Sequence, residues 1–173
     1  MEYESLINFI ENNKSKIILL FPIGPPGSGK TTLKNLLINK ISTRFVISPS
    51  RDDIFKKYRL NYGLKKTRHL THLEMTTIVQ NTKSDNNYLI YIDSTNSNLG
   101  IRSHYIDLIK PDIVRHICFH TKHLSNPIEY LLNRTIDRCH PTFPVDKEDK
   151  IKTINTIIDN IDYPSNNVYD IFI

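Results

Sequence analysis

The stretch KIILLFPIGPPGSGKTT, residues 16–32, decides the fold. Its first part, residues 16–21, is a continuous apolar run ended by Pro22, which predicts a strand that is buried on both faces. Residues 24–31 then fit the pattern G-x-x-x-x-G-K-[ST] without deviation. A helix is expected to begin near Gly29, because the leucines that follow recur at helical spacing. A strand, a glycine-rich loop and a helix in this order form a phosphate-binding loop.

The loop contains the residue types that phosphate binding requires. Its glycines let the backbone N–H groups converge on phosphate oxygens, and the start of the helix adds a partial positive charge. We expect Lys30 to bridge the outer phosphates of a nucleotide and the Thr31 hydroxyl to ligate Mg²⁺. The predicted nucleotide-binding residues of this loop are Gly24, Pro25, Pro26, Gly27, Ser28, Gly29, Lys30, Thr31 and Thr32.

The rest of the chain alternates between short apolar strands and amphipathic helices. Further strands are predicted at residues 44–48, 88–93, 113–119 and 168–173, and helices at residues 3–12, 54–59, 67–82, 101–109, 126–138 and 147–161. Such alternation requires crossover connections and therefore a parallel sheet with helices on both faces. We expect an α/β fold with about five strands, in one domain over residues 1–173 that leaves no room for a second catalytic domain.

Composition limits the class of protein. The net charge of +5 favours anionic partners such as nucleotides or nucleic acid, although a solvated basic surface explains it equally well. The two cysteines cannot form a disulfide framework, and the acidic N-terminus lacks the basic start of a signal peptide. No apolar run is long enough to span a membrane. These features predict an intracellular protein, cytoplasmic or nuclear, that is neither secreted nor membrane-bound.

A phosphate-binding loop implies a nucleotide but leaves the reaction open. The NKxD and DxxG motifs of a GTPase switch are missing, because Asn39-Lys40 is followed by Ile41 and Ser42 and Asp93 by Ser94. The length suits a small kinase better than a motor ATPase.

Two carboxylates follow the second predicted strand, at Asp52 and Asp53. The carboxyl ends of parallel strands line the ligand crevice, so one of these groups is expected opposite the phosphate loop. A kinase needs a base that orients the acceptor hydroxyl and accepts its proton, and Asp52 suits this role. The alternative is a helix cap before residues 54–59, which suits Asp53 better than Asp52.

Four segments occur in a characteristic order: GPPGSGKTT at 24–32, SRDDIF at 50–55, IDSTNSN at 92–98 and NRTIDRCHPTFP at 133–144. Together they resemble the phage-type polynucleotide 5′-hydroxyl kinase family, P-loop kinases that are also similar to the kinase modules of RNA repair and tRNA ligases. The resemblance implies transfer of the γ-phosphate of ATP, with Mg²⁺, to the 5′-hydroxyl end of RNA or DNA. GTP as donor and either nucleic acid as acceptor stay open.

The resemblance also implies roles for residues outside the phosphate loop. It makes Asp52 the general base and places Arg51, Thr95 and Asn96 at the acceptor site. Asp93 ends an apolar strand as the acidic residue behind Mg²⁺ does in P-loop enzymes, with a turn carboxylate as the alternative.

Arg134 and Arg138 are four residues apart and would share one face of a helix, where they could clamp a polyphosphate. The resemblance implies a lid at about residues 126–144 that closes over the donor phosphates and ends at Pro144, with Arg138 catalytic beside Lys30 and Asp52. A solvated arginine stripe is the alternative.

The sequence departs from the family pattern at Phe55, where an arginine often engages the phosphate 3′ of the acceptor nucleotide. Lys56 or Lys57 could replace it, or Phe55 could stack on the terminal base. A basic stretch with interleaved tyrosines follows over residues 56–68, and it suits either a single-strand funnel or a solvated surface.

The histidines are not predicted to bind metal. His116 and His120 share a strand face with Cys118, but His123 falls in a loop and zinc would lack a fourth ligand. His69 and His72 are expected on a partly exposed helix. Two other functions stay open for the chain: a small-molecule or nucleoside kinase of the same fold, and a non-catalytic nucleotide-binding module.

Overall fold

A computed structural model describes residues 2–13, 16–81, 87–121, 123–135, 144, 146–166 and 168–172. These residues form five strands: β1 (Ile18–Ile23), β2 (Phe45–Ile47), β3 (Tyr88–Tyr91), β4 (Ile113–His120) and β5 (Val168–Phe172). Their helices are α1 (Glu2–Asn12), α2 (Lys30–Lys40), α3 (Arg51–Arg59), α4 (Leu64–Gln80), α5 (Leu99–Ile109), α6 (Pro127–Asn133) and α7 (Lys147–Asp159). Within these ranges no helix is long and apolar enough to cross a membrane.

The five strands form one parallel sheet in the order β2-β3-β1-β4-β5. Alternate residues of β1 face opposite sides of the sheet. Leu20 belongs to a core formed with α1 and α2, whereas Leu19 and Phe21 belong to a core formed with α3, α4 and α5. The predicted α/β fold, a parallel sheet of five strands with helices on both faces, is therefore confirmed.

The first strand is longer at its end than predicted, because Pro22 does not terminate it. β1 continues to Ile23, with Pro22 in register with Ile117 of β4. Pairing with β3 ends at Leu20, so β1 has a neighbouring strand on only one side at the proline. On the open side the Pro22 carbonyl accepts a hydrogen bond from Asn96 Nδ2 at 2.9 Å. Proline, which has no backbone N–H to donate, is tolerated at such a position.

Several predicted helices have different bounds. α4 begins at Leu64 instead of residue 67, α5 begins at Leu99 instead of residue 101, and α7 ends at Asp159 instead of residue 161. α3 begins at Arg51 and not at Ile54, because Ser50 is its N-cap and accepts a hydrogen bond from the Asp53 backbone N–H. α6 ends at Asn133, where the prediction continued to residue 138. The Thr135 hydroxyl donates to the carbonyls of Leu131 and Leu132, and so satisfies carbonyls that have no partner within the helix at its end. Residues 136–143 lie outside the described part of the chain.

Candidate active site

Loops from β1, β2 and β3 meet at the carboxyl edge of the sheet and surround one cleft. The cleft is lined by residues of the phosphate loop and α2, by the start of α3, by the segment after β3, and by three residues further along the chain. In chain order the lining residues are Pro26, Gly27, Gly29, Lys30, Thr31, Thr32, Arg51, Asp52, Asp93, Ser94, Thr95, Thr135, Thr153 and Ile157. Sequence reasoning therefore located most of the cleft.

The glycines of the phosphate loop are required by its backbone path. Gly27 and Gly29 have φ angles of +82° and +103°, in the left-handed region that favours glycine. Gly24 has ordinary φ, but a Cβ there would come within 2.8 Å of the Phe119 Cβ on β4. Ser28 is fully buried and accepts from Lys30 at 3.4 Å. Gly24, Pro25 and Ser28 thus belong to the loop but are not part of the cleft lining.

Lys30 is held over the loop that precedes it. Its Nζ donates to the carbonyls of Gly24 and Pro25 at 2.8 and 2.7 Å. The Lys30 carbonyl accepts from the buried hydroxyl of Tyr91 on β3 at 2.7 Å, and burial raises the pKa of this phenol well above its usual value. Both ends of the residue are therefore fixed, and the ammonium group stays at the mouth of the anion-binding nest.

The two neighbouring aspartates have different surroundings. Asp52, in the first turn of α3, is half-buried and lines the cleft together with Lys30 and Thr31. Asp53 is exposed and lies outside the cleft lining, and its backbone N–H serves the Ser50 cap. The alternative that Asp53 caps the helix is wrong, because Ser50 is the cap. Of the two carboxylates, Asp52 is the one placed to meet a molecule in the cleft.

Asp93 connects the segment after β3 to the start of α3. Its backbone N–H donates to the Pro49 carbonyl and its carbonyl accepts from the Arg51 N–H, both at 3.1 Å. Its carboxylate lines the cleft, and one oxygen, Oδ2, accepts from Lys34 Nζ at 2.7 Å. Thr31 and Asp93 bring a hydroxyl and a carboxylate to one cleft, which is the oxygen donor chemistry that Mg²⁺ prefers. That they bind Mg²⁺ stays a prediction.

The ion pair of Lys34 and Asp93 predicts a stability effect that depends on Mg²⁺. Both side chains are largely buried, with 14% and 10% of their surface exposed, so Lys34→Met should lower the free energy of unfolding by about 3 kcal/mol. If Asp93 faces the metal, Mg²⁺ should recover part of the loss, so that it raises the Tm of the variant more than that of the unaltered chain.

The matched control is Lys152→Met, which removes an exposed pair with Asp149 at 3.6 Å and should cost less than about 0.5 kcal/mol. Thermal unfolding with and without Mg²⁺ measures both variants. An equal Mg²⁺ shift in Lys34→Met and the unaltered chain would contradict a metal role for Asp93.

The predicted acceptor residues fall into two groups. Arg51 is exposed and Thr95 is half-buried, and both line the cleft. Asn96 is 1% exposed with φ +48°, and its Nδ2 contacts the carbonyls of Pro22, Ile92 and Ser94. Asn96 therefore anchors the segment after β3 to the sheet, and its predicted contact with the acceptor stays a prediction.

The Asn96 carbonyl is held by Arg102 of α5, which is 1% exposed and donates to it at 2.7 Å. A second guanidinium nitrogen lies 3.5 Å from Asp162 Oδ2, and the Asp162 N–H donates to the Ser97 carbonyl at 2.9 Å. Burial lowers the pKa of Arg102. Sequence reasoning did not identify Arg102, because nothing in its position distinguishes it from a surface arginine.

Arg134 lies beside the phosphate loop. A Cβ on Gly27 would come within 3.4 Å of the Arg134 Cβ, while the guanidinium hydrogen-bonds the Tyr130 hydroxyl and lies over its ring. The side chain is exposed and outside the cleft lining. Its predicted partner Arg138 falls outside the described residues, so the arginine pair stays a prediction.

The structure decides the alternatives around Phe55. This side chain is fully buried and belongs to the protein core, so stacking on a terminal base is wrong. Lys57 forms an ion pair with Glu74 of α4 at 2.7 Å, and Tyr58 donates to the same carboxylate at 2.6 Å. These contacts join α3 to α4. Lys56 is exposed and lies outside the cleft lining.

The histidine region contains a cluster that differs from the one considered in the sequence. Candidate ligand atoms of Cys118, His120 and Asp170 lie within 4.8 Å of one another, and His120 pairs with Asp170 at 2.5 Å. The Cys118 thiol is buried, which raises its pKa to about 12. Three candidate ligands are one short of a closed tetrahedral zinc site. Among the described residues the hydrogen bond between His120 and Asp170 accounts for this arrangement.

Sequence reasoning did not predict four residues of the cleft lining, namely Ser94, Thr135, Thr153 and Ile157, nor Lys34, which lies outside the lining and pairs with Asp93. Lys34 could have been found, because it follows the loop lysine by one helical turn. Thr153 and Ile157 share a face of α7, but no local pattern shows that this face covers the phosphate loop.

The parallel sheet, its strand order and the phosphate loop at its carboxyl edge define the P-loop kinase fold. Solved structures of this fold resemble the chain. A chain of the Pnkp1/Rnl/Hen1 complex is 23% identical, with a TM-score of 0.53 over 75% of this chain and 41% of that chain. This chain therefore spans about two fifths of that relative.

Shikimate kinase from Acinetobacter baumannii, in complex with shikimate, is 14% identical with a TM-score of 0.54, over 87% of this chain and 78% of that one. A gluconokinase from Sinorhizobium meliloti 1021 is 13% identical with a TM-score of 0.52, over 93% of this chain and 83% of that one. At these identities the likenesses establish the fold alone. No protein-family model matches the chain, and no curated protein matches it.

Proposed function

We propose that this chain is a polynucleotide 5′-hydroxyl kinase that transfers the γ-phosphate of ATP to the 5′ end of RNA or DNA. The observation that carries the proposal is the position of Asp52, a half-buried carboxylate that lines the same cleft as Lys30 and Thr31. Binding of a nucleotide with Mg²⁺ needs no second carboxylate in addition to Asp93, whereas transfer to a hydroxyl needs a base beside the phosphates. The ordered motifs at residues 24–32, 50–55 and 92–98 support a polynucleotide acceptor.

These positions support the following proposed reaction. The backbone of the phosphate loop and Lys30 hold the β- and γ-phosphates. Asp52 orients the 5′-hydroxyl and accepts its proton as the oxygen bonds the γ-phosphorus. The bond from that phosphorus to the β–γ bridging oxygen breaks, and ADP leaves. Mg²⁺, held by Thr31 and Asp93, would neutralise charge on the transferring group.

Arg134 and Arg138 complete the proposal as donor-phosphate residues on a lid over residues 126–144. An arginine that meets the transferring phosphoryl group stabilises charge that develops during transfer. The position of Arg134 beside Gly27 supports a contact with the donor. We further propose that residues 1–173 form a single kinase domain acting on nucleic-acid ends in repair, a proposal supported by the likeness to a chain of the Pnkp1/Rnl/Hen1 RNA repair complex.

Transfer of labelled γ-phosphate tests the function. RNA and DNA oligonucleotides with 5′-hydroxyl ends are compared with free nucleosides, shikimate and gluconate, with ATP or GTP as donor. We expect label at the 5′ end of oligonucleotides. Label on a small molecule alone would favour the second candidate, a small-molecule kinase, which the likeness to shikimate kinase and gluconokinase keeps open. Nucleotide binding without transfer to any acceptor would indicate a non-catalytic module.

A further inference from the structure

A second cavity of about 510 Å³ lies next to the cleft, between helices α4 and α5. We call it the α4–α5 groove; Arg68, His72, Ile101, His104 and Tyr105 are among its lining residues. On α4 the lining residues recur at positions 68, 71, 72 and 75, the spacing of one helix face. A cavity of this size is in the range that accommodates a small ligand or a nucleotide.

The groove and the cleft are neighbours. Arg51 and Ser94 line both cavities, and Asp52 is next to Arg51 in the first turn of α3. A molecule whose hydroxyl lies at Asp52 can therefore extend past Arg51 into the groove. A small acceptor would fill the cleft, whereas a chain of nucleotides would continue beyond it.

The chemistry of the groove favours an anion. Its described lining contains two arginines and two histidines and no carboxylate. Within the described residues neither Arg51 nor Arg68 forms an ion pair, whereas Lys57 nearby is paired with Glu74. Arg68 is exposed and can present its planar fork to a phosphate.

Two imidazoles add further N–H donors across the groove. The rings of His72 on α4 and His104 on α5 are 5.2 Å apart, and the His104 ring meets Tyr105 edge-on. Burial, followed by the charges of His104 and His69, lowers the pKa of His72. A neutral imidazole still donates one N–H, so both rings can hydrogen-bond an oxygen acceptor without carrying charge.

We propose that the α4–α5 groove binds the phosphate on the 3′ side of the acceptor nucleotide, through Arg68 together with His72 and His104. The inference rests on the proposed kinase function and identifies what distinguishes a polynucleotide end from a free nucleoside. It also explains how an acceptor phosphate is held when the side chain at position 55 is a buried phenylalanine. The contact with the phosphate is made from α4, the helix that follows α3 in the chain.

The test compares acceptors that differ by one phosphate. Nucleosides and nucleoside 3′-monophosphates, of both sugar types, are assayed with the unaltered chain and with Arg68→Gln. We expect the 3′-phosphate to lower the acceptor KM at least tenfold in the unaltered chain, which corresponds to about 1.4 kcal/mol. Arg68→Gln should remove this difference and leave the KM for ATP and the activity with plain nucleosides within about twofold.

Lys40→Gln is the matched control, because Lys40 is exposed at the far end of α2, about 15 Å along the helix from the phosphate loop. It removes one positive charge without altering the groove. We expect it to keep the full effect of the 3′-phosphate. An equal loss in Lys40→Gln would show that only the net charge matters and would overturn the assignment to Arg68.

Binding gives a measurement that is independent of turnover. Anisotropy of a labelled 5′-hydroxyl oligonucleotide is followed against salt in the Asp52→Asn background, with and without Arg68→Gln. Loss of one phosphate contact should reduce the slope of log K against log salt by about 0.7. Equal KM values for nucleosides and their 3′-monophosphates, with transfer intact, would overturn the groove and leave the kinase. No label on any nucleoside or oligonucleotide would overturn both proposals.

Discussion

Asp52→Asn should abolish phosphoryl transfer while nucleotide binding persists. Asparagine keeps the shape of the side chain and the first turn of α3, but it cannot accept the proton of the acceptor hydroxyl. We expect kcat to fall by about a thousandfold, within the range that a general base contributes. ATP affinity, measured by calorimetry, and the Tm should change little, because Asp52 is not the helix cap.

Asp53→Asn is a control that differs by one position. Asp53 carries the same charge in the same helical turn, but it is exposed and outside the cleft. Its removal should change kcat less than threefold. Comparable losses in both variants would mean that the negative charge at the helix start, and not a base at Asp52, supports activity. Full activity of Asp52→Asn would remove the base altogether.

Lys30→Met should produce the second large effect, on the donor side. The ammonium group is fixed at the loop by the Gly24 and Pro25 carbonyls, where it can meet charge that develops on the γ-phosphate. Loss of one such preorganised donor costs about a hundredfold to a thousandfold in kcat. We also expect weaker ATP binding, because the proposed contact of Lys30 with the phosphates would already be made in the ground state.

Lys40→Met, on the same helix and exposed at its far end, is the control for charge and helix content. Steady-state kinetics with varied ATP separates kcat from KM. A rise in KM with an unchanged kcat would mean that Lys30 only holds the nucleotide. Circular dichroism confirms that α2 is intact in both variants.

The sequence predicted the central part of this molecule because its signals are local. The strand, loop and helix of residues 16–32 are fixed by apolar runs and by glycines with positive φ, and the other strands are nearly as clear. Of the two carboxylates after the second strand, Asp52 lines the cleft as expected, although the cap role that separated Asp53 from it in the sequence belongs to Ser50. Each of these inferences depends on a few neighbouring residues.

Features that depend on distant contacts were not predictable. β1 continues through Pro22, where no strand pairs on one side. There Asn96, far along the chain, donates a hydrogen bond to the Pro22 carbonyl. At the end of α6 the Thr135 hydroxyl donates to the carbonyls of Leu131 and Leu132, a contact that the apolar pattern does not report. The α4–α5 groove requires two helices from different parts of the chain to meet, so the roles of Arg68 and His104 have no local signature.

The hydrogen bond from Arg102 to the Asn96 carbonyl belongs to the part of the domain that maintains the fold. The exposed residues of α4 and α5 belong to a part that can vary. The segment after β3 is fixed by buried hydrogen bonds, whereas Arg68, His72 and His104 are exposed. Substitutions on the outward faces of α4 and α5 should therefore be tolerated without loss of folding. Under the proposed function, this surface is where acceptor preference could be redesigned in evolution or engineering while the phosphate-transfer centre is inherited unchanged.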